Sequence, residues 1–284
     1  MILDEALTEI KNLVGQPLDV LDITKPVDIE YARHLFKVIS KLSPLIGNMI
    51  EFFIPSVLNK KRWQMSGEWI RQDPSFPDII FSGDNERVGI EIKTWFPLAT
   101  EMTARFKESR LRLQAMPIDV VVVAWIPQHI IYGKPVILDI WHDSALSLAD
   151  ARDNHYHNPP DYLVFEPFDT TTRTLNLQQT NTNGYKFQGD ANQFAQAQAI
   201  VQSWGDNGKI YSASIDYQLK LNMLQAQFPY RLDTNFAKID RIQHHGLEQF
   251  KRQVLETTLE GYTLLEWSRK DLMKDISALQ TLLE

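Results

Sequence analysis

The chain of 284 residues contains no cysteine, which excludes disulfides and thiolate metal sites and leaves carboxylates, imidazoles and carbonyls as metal ligands. Oxygen-rich chemistry of that kind suits Mg²⁺ better than structural zinc. No run of about 18 apolar residues occurs, so no membrane-spanning segment is expected. The opening Met1-Ile2-Leu3-Asp4-Glu5 lacks the basic start and apolar stretch of a secretory leader, and a cytoplasmic location is the expectation. A Gly-rich phosphate loop ending in Lys-Ser/Thr is missing, which argues against a built-in ATP motor, and no Ser-centred nucleophile elbow occurs. Basic residues are outnumbered, 29 Lys and Arg against 36 Asp and Glu, for a net charge of −7. That balance counts against a general nucleic-acid binder, although a local basic surface suffices for an enzyme acting on a polyanion.

With 44% hydrophobic residues the chain can bury a full core, and the absence of a repeat, linker or low-complexity tail leads us to expect one domain over 1–284. Apolar residues recur at helical spacing in Ile2, Leu3, Ala6, Ile10 and Leu13, and helices are predicted over 28–42 and over 47–58, the latter interrupted near Pro55. Short segments rich in β-branched and aromatic residues follow at 63–69, 77–81, 88–95 and 120–126, with a turn at Ser82-Gly83-Asp84-Asn85. A four-turn helix over 100–116, with Met102, Phe106, Leu113 and Ala115 toward the buried side, is the predicted crossover that makes the last two strands parallel. Further strands are predicted at 136–141, 162–165, 175–179 and 185–187, polar loops at 149–161 and 169–172, and a hairpin turn at 181–184. Helices return over 191–204, 235–259 and 263–283. The fold class expected is α/β, a central mixed sheet flanked by helices, with helical additions at both ends and a C-terminal helical region from about 190.

The chemistry concentrates in one place. Glu91 and Lys93 are two residues apart on an apolar strand with Val88, Ile90 and Ile92, so both side chains leave on one face. Burying an unpaired ion there costs several kcal/mol, so each needs a partner or a metal. Asp78 precedes Ile79-Ile80-Phe81, and a hairpin through Gly83 to Arg87 can bring it beside Glu91. Two carboxylates so placed repel unless a cation lies between them. Asp78, Glu91 and the Ile92 carbonyl can hold Mg²⁺, with Lys93 next to an attacking water that it could orient or activate. The competing reading is an ordinary Glu-Lys pair on an edge strand, with Asp78 a mere strand-start residue.

Pro77-Asp78, a gap of 12 residues and then Glu91-Ile92-Lys93 resembles the PD-(D/E)xK nuclease superfamily, to which most type II restriction endonucleases belong. The likeness covers about 47–126 and implies a restriction-endonuclease-like core in which a helix precedes a hairpin carrying the acidic residues, followed by a helix and a strand. By that resemblance Asp78, Glu91 and Lys93 are catalytic, and Asp78, Glu91 and Ile92 hold Mg²⁺. Glu51 matches the additional acidic position and by the resemblance binds the metal directly or through water, with Glu68 as its rival for that role. The string Gly89-Ile90-Glu91-Ile92-Lys93-Thr94 is also similar to the methyl-directed mismatch-repair nicking endonuclease, which makes Asp84 an alternative to Asp78. The resemblance implies cleavage of double-stranded DNA by a homodimer, with 235–283 a candidate dimer contact. A repair or recombination nuclease and an inactive DNA-binding protein of the same fold are the alternatives.

Lys60, Lys61 and Arg62 before the sheet, and Arg105, Lys107, Arg110 and Arg112 after it, are the candidate phosphate contacts. The second group can equally be a solvated helix face paired with Glu101 and Glu108. The polar loops at 154–161 and 180–186 carry side chains able to read base edges. His155, His157 and the adjacent His244-His245 lack the further ligands a zinc site needs, and polar or DNA-facing roles are expected of them.

Overall fold

The computed structural model describes residues 2–72, 75–83, 87–155, 163–165, 185–206, 208, 214–232, 237–270 and 276–283. In chain order the elements begin with α1 (Ile2–Lys11), α2 (Ile29–Ile39), α3 (Ser43–Leu58), β1 (Gly67–Arg71), β2 (Ile79–Gly83) and β3 (Arg87–Trp95). There follow α4 (Arg110–Leu113), β4 (Ile118–His129), β5 (Tyr132–Ser144), α5 (Ala145–His155), β6 (Leu163–Phe165) and β7 (Tyr185–Phe187). The chain closes with α6 (Ala191–Ser203), α7 (Ile215–Gln227), β8 (Tyr230–Leu232), α8 (His245–Glu256), α9 (Leu264–Arg269) and α10 (Ile276–Leu283). These fall into two compact units, one of Met1–Ala104, Met116–Ser144 and His244–Glu284, the other of Arg105–Ala115 and Ala145–Gln243.

The first unit is built on a five-stranded mixed sheet in the order β1-β2-β3-β4-β5. β1, β2 and β3 are antiparallel neighbours, β3 and β4 run parallel, and β5 returns antiparallel to β4. The run of Val120, Val121, Val122, Val123 and Ala124 is buried on both faces, as an unbroken apolar strand in mid-sheet requires. Helices flank the sheet. α1 buries Ile2, Ala6, Leu7 and Ile10, and α3 buries Ile46, Ile50, Ile54 and Leu58. At Gly47 α3 comes so close to β3 that a Cβ would lie 2.6 Å from Thr94 Oγ1. From α8, Phe250 packs on Trp95 of β3 at 6.1 Å between ring centroids.

In the second unit β6, β7 and β8 form a three-stranded sheet. Its core holds Phe187, Ala197, Val201, Leu224 and Phe228. Arg152 of α5 is 2% exposed; it pairs with Asp153 at 2.7 Å and donates to the Phe106 carbonyl at 3.0 Å. Tyr230 donates its hydroxyl to Asp153 Oδ2 at 2.8 Å, and burial together with the Asp153 charge holds the phenol above its ordinary range.

Several elements differ from expectation. The helix predicted over 100–116 is reduced to α4: Thr100 takes φ 31°, and Phe106 donates its N–H to Ala237 instead of to a helical carbonyl. Met102 and Phe106, on non-helical backbone, and Leu113 of α4 are nevertheless buried, whereas Ala115, beyond the end of α4, is exposed. α3 runs through Pro55 without a break, losing only the N–H that would have reached the Glu51 carbonyl. β1 starts at Gly67 instead of 63; Trp63 donates its indole N–H to the Leu58 carbonyl at 3.1 Å and packs edgewise on Trp69 and Phe81. The segment from 149, read as a polar loop, begins inside α5, where Arg152 pairs with Asp153. α7 lies in the helical region expected from about 190, although no helix was placed over 215–227, and the helix predicted over 235–259 is confined to α8. The predicted strand at 175–179, the loop at 169–172 and the turn at 181–184 lie outside the described residues. No helix among the described residues is long and apolar enough to cross a membrane.

Candidate metal and phosphodiester site

The β2–β3 ladder pairs Ile79 with Ile90, and continuing that register one step sets Asp78 across from Glu91. Partners across antiparallel strands share a face, so Asp78 joins Glu91 and Lys93. At this point the two strands cease to pair through their backbones, and side chains take over. The Asp78 N–H donates to Glu91 Oε2 at 3.1 Å, and the Ile92 N–H donates to Asp78 Oδ2 at 2.7 Å. Because Gly89 bonds Pro117, beside β4, strand alternation turns the Ile92 N–H and carbonyl to the other flank, beyond the end of β2. The Lys93 ammonium closes the group, hydrogen-bonded to Glu91 Oε1 and 3.9 Å from Asp78 Oδ2. Space for this packing depends on Gly89, where a Cβ would lie 2.5 Å from the Pro77 ring.

Burial governs the charges. Glu91 is 8% exposed, and removal from water pushes its carboxyl up to about 7; Lys93 opposes the rise and the Asp78 charge adds to it. Burial alone would lower Lys93, but the Glu91, Asp78 and Glu51 carboxylates outweigh it and hold the ammonium above its ordinary value. Lys93 is therefore a cation at neutral pH, able to donate hydrogen bonds and not to accept a proton. The positive charge that two facing carboxylates require is supplied here by this side chain.

Two carboxylates and a carbonyl directed to one flank form a hard-oxygen donor set that fits Mg²⁺, with waters needed to complete the coordination. Among the described residues no group of three or more acidic or imidazole side chains stands ready to hold a metal. Glu51 follows Gly47 by four residues on α3, and so shares the helix face that meets β3. Its carboxylate reaches Lys93 electrostatically while pairing with Arg71 at 3.9 Å. Glu68 sits opposite Ser82, exposed and four residues along β2 from Asp78, about 13 Å away at the strand rise. Asp84 lies outside the described residues.

No protein-family model matches the chain, and no curated protein does. The site must be read from its own residues.

The candidate phosphate contacts are dispersed. Lys60 and Arg62 are exposed, whereas Lys61 is tied to Glu9 at 2.6 Å and Glu5 at 3.8 Å. Arg105, Lys107, Arg110 and Arg112 belong to the second unit, where Arg110 pairs with Asp150 at 2.5 Å and Arg112 with Glu108 at 2.6 Å. His157 and the loop residues 156–161 and 180–184 are outside the described residues, as is the side chain of His155.

Two features escaped the sequence reading. Arg71 ends β1 and pairs with Glu51, and nothing in the local pattern distinguishes it from any strand-end arginine. The row Asp78, Glu91, Val120 continues to Asp143 on β5, which pairs with His244 Nε2 at 3.1 Å. Two strand spacings, about 10 Å, separate the backbones of Asp143 and Glu91 on one sheet face. The adjacent histidines were visible in the sequence; the acidic partner of His244, a hundred positions earlier, was not.

Proposed function

We propose that this protein is a Mg²⁺-dependent endonuclease with a restriction-endonuclease-like fold, hydrolysing phosphodiester bonds of double-stranded DNA at a specific sequence as a type II restriction enzyme does. The observation that carries the proposal is the Asp78, Glu91 and Lys93 cluster at the point where β2 and β3 part. A helix before the hairpin and a fourth strand parallel to β3 support it. Asp78, Glu91 and the Ile92 carbonyl would hold the cation. When bound, Mg²⁺ supplies Lewis-acid polarisation of the phosphate and its leaving oxygen. The Lys93 Nζ, released from Glu91, donates hydrogen bonds to the attacking water and to the oxygens on which negative charge accumulates. Ile90 and Ile92, both 0% exposed, keep the strand beneath the site dry and rigid. Cutting both strands of a two-fold symmetric sequence takes two copies of the site, so a homodimer belongs to the proposal.

The test is incubation with unmethylated plasmid. Discrete fragments are expected with MgCl₂ and none with EDTA. Lys93→Ala and Asp78→Asn, checked for folding by circular dichroism, should each slow cutting by about 10²–10³-fold, the scale of losing one electrostatic stabiliser. A folded Lys93→Ala that cuts at the wild-type rate would sink the site assignment.

A further inference from the structure

Arg71 has no role in the chemistry above, yet its position is closely defined. Its Cα pairs with Ile79, the residue after Asp78, and the next residue, Gln72, donates its N–H to the Asp78 carbonyl at 2.8 Å. Arg71 therefore shares the sheet face of Ile79 and Ile90, and its link to the cluster runs through Glu51, whose charge reaches Lys93. Two consecutive residues of α3 receive it. Glu51 Oε2 lies 3.9 Å from Nη2, and the Phe52 ring centroid lies 3.7 Å from Cζ. A guanidinium resting on an aromatic ring has its orientation set, and its fork of N–H donors matches the paired oxygens of a phosphate.

Two cations, Lys93 and Arg71, are linked to these carboxylates. Lys93 is shared between Glu91 and Asp78. The Arg71–Glu51 pair, at 3.9 Å, has side chains 22% and 23% exposed. Phe52 itself is 59% exposed, which places this arrangement at the surface, where an extended polyanion can reach it.

We propose that Arg71 is a substrate-binding residue whose guanidinium, held in position by Glu51 and Phe52, takes over a backbone phosphate of nucleic acid beside the Asp78–Glu91–Lys93 cluster. The inference rests on that cluster acting on a phosphodiester. Glu51 is then a competitor of the phosphate for Arg71, and substrate binding hands its carboxylate back to the cluster whose Lys93 already feels its charge.

The experiment measures binding of the full chain to a short fluorescein-labelled duplex by anisotropy, with CaCl₂ in place of MgCl₂, over a series of salt concentrations. Losing one phosphate contact lowers the slope of log K against log salt by about 0.9. Arg71→Ala should show that loss, and Arg71→Lys should retain most of the wild-type slope. Glu51→Gln should tighten binding severalfold when Arg71 is present and leave affinity unchanged in an Arg71→Ala background. Where Arg71→Ala does not fold, Arg71→Gln, which keeps the stem over Phe52, serves the same comparison. A folded Arg71→Ala or Arg71→Gln with the wild-type slope and affinity overturns the proposal, as does a Glu51→Gln gain that persists without Arg71. Absence of any binding by the wild-type chain overturns it together with the nuclease reading. Binding with the expected slope loss but no Mg²⁺-dependent cutting by the wild type removes the nuclease reading and leaves the phosphate contact standing.

Discussion

Replacing Glu91 with Gln isolates the cost of burying that carboxylate from every other titration in the molecule. Burial pushes the Glu91 carboxyl from 4.5 to about 7. A carboxyl with a raised folded-state pKa binds its proton more tightly folded than unfolded. Its contribution to stability is complete below about 4.5 and is lost as the pH rises through about 7. At about 1.4 kcal/mol per pH unit the loss is roughly 3 kcal/mol. Gln at position 91 has no such titration, and Asp78 and Glu51 remain to keep Lys93 charged. Urea unfolding in EDTA from about pH 4.5 to about pH 8 should therefore find Glu91→Gln gaining about 3 kcal/mol on the wild type, with parallel curves at higher pH. A divalent cation bound at this carboxylate must displace its proton. The affinity for Ca²⁺, read by calorimetry, should rise roughly tenfold per pH unit up to about 7 and then level. Parallel stability profiles for wild type and variant across the whole range would refute the reasoning, because they would mean that Glu91 carries no raised pKa.

Gly89→Ala forces a Cβ to within 2.5 Å of the Pro77 ring, so it should cost about 1–3 kcal/mol in thermal unfolding and slow plasmid cutting by displacing Asp78. A variant with unchanged melting temperature and rate would show that Pro77 yields freely. Tyr230→Phe removes the hydroxyl that donates to buried Asp153 and should destabilise the second unit by about 1–3 kcal/mol, measured by hydrogen exchange of α5 and β8 amides. Exchange rates that match the wild type would mean that Arg152 alone satisfies Asp153.

Much of the candidate site was legible because strand geometry is periodic. A spacing of two puts Glu91 and Lys93 on one face, and the apolar run at 120–124 marks a strand covered on both sides. A turn between 81 and 88 is enough to fold Asp78 back toward Glu91, and the ladder from Ile79 to Ile90 has that register. Longer-range features were not legible. Arg112 has the partner its sequence offered, Glu108 four residues before it, whereas Asp150, the partner of Arg110, was set by how the second unit packs. The helix over 100–116 had suitable spacing and still gave way, because Phe106 found a backbone partner at Ala237 that a local pattern cannot contain.

The residue types and their alternation determined, without any tertiary information, that two acidic groups and a lysine would meet near one strand and would need compensating charge. Tertiary structure decided how that need is met. Burial raises the proton affinity of Glu91, and the ends of β2 and β3 part so that Asp78 caps Ile92 through its side chain. α3 approaches through Gly47 and brings Glu51 to Arg71. Periodicity is local, fixed by two dihedrals per residue, whereas proton affinity depends on the water and charge that every other segment removes or supplies.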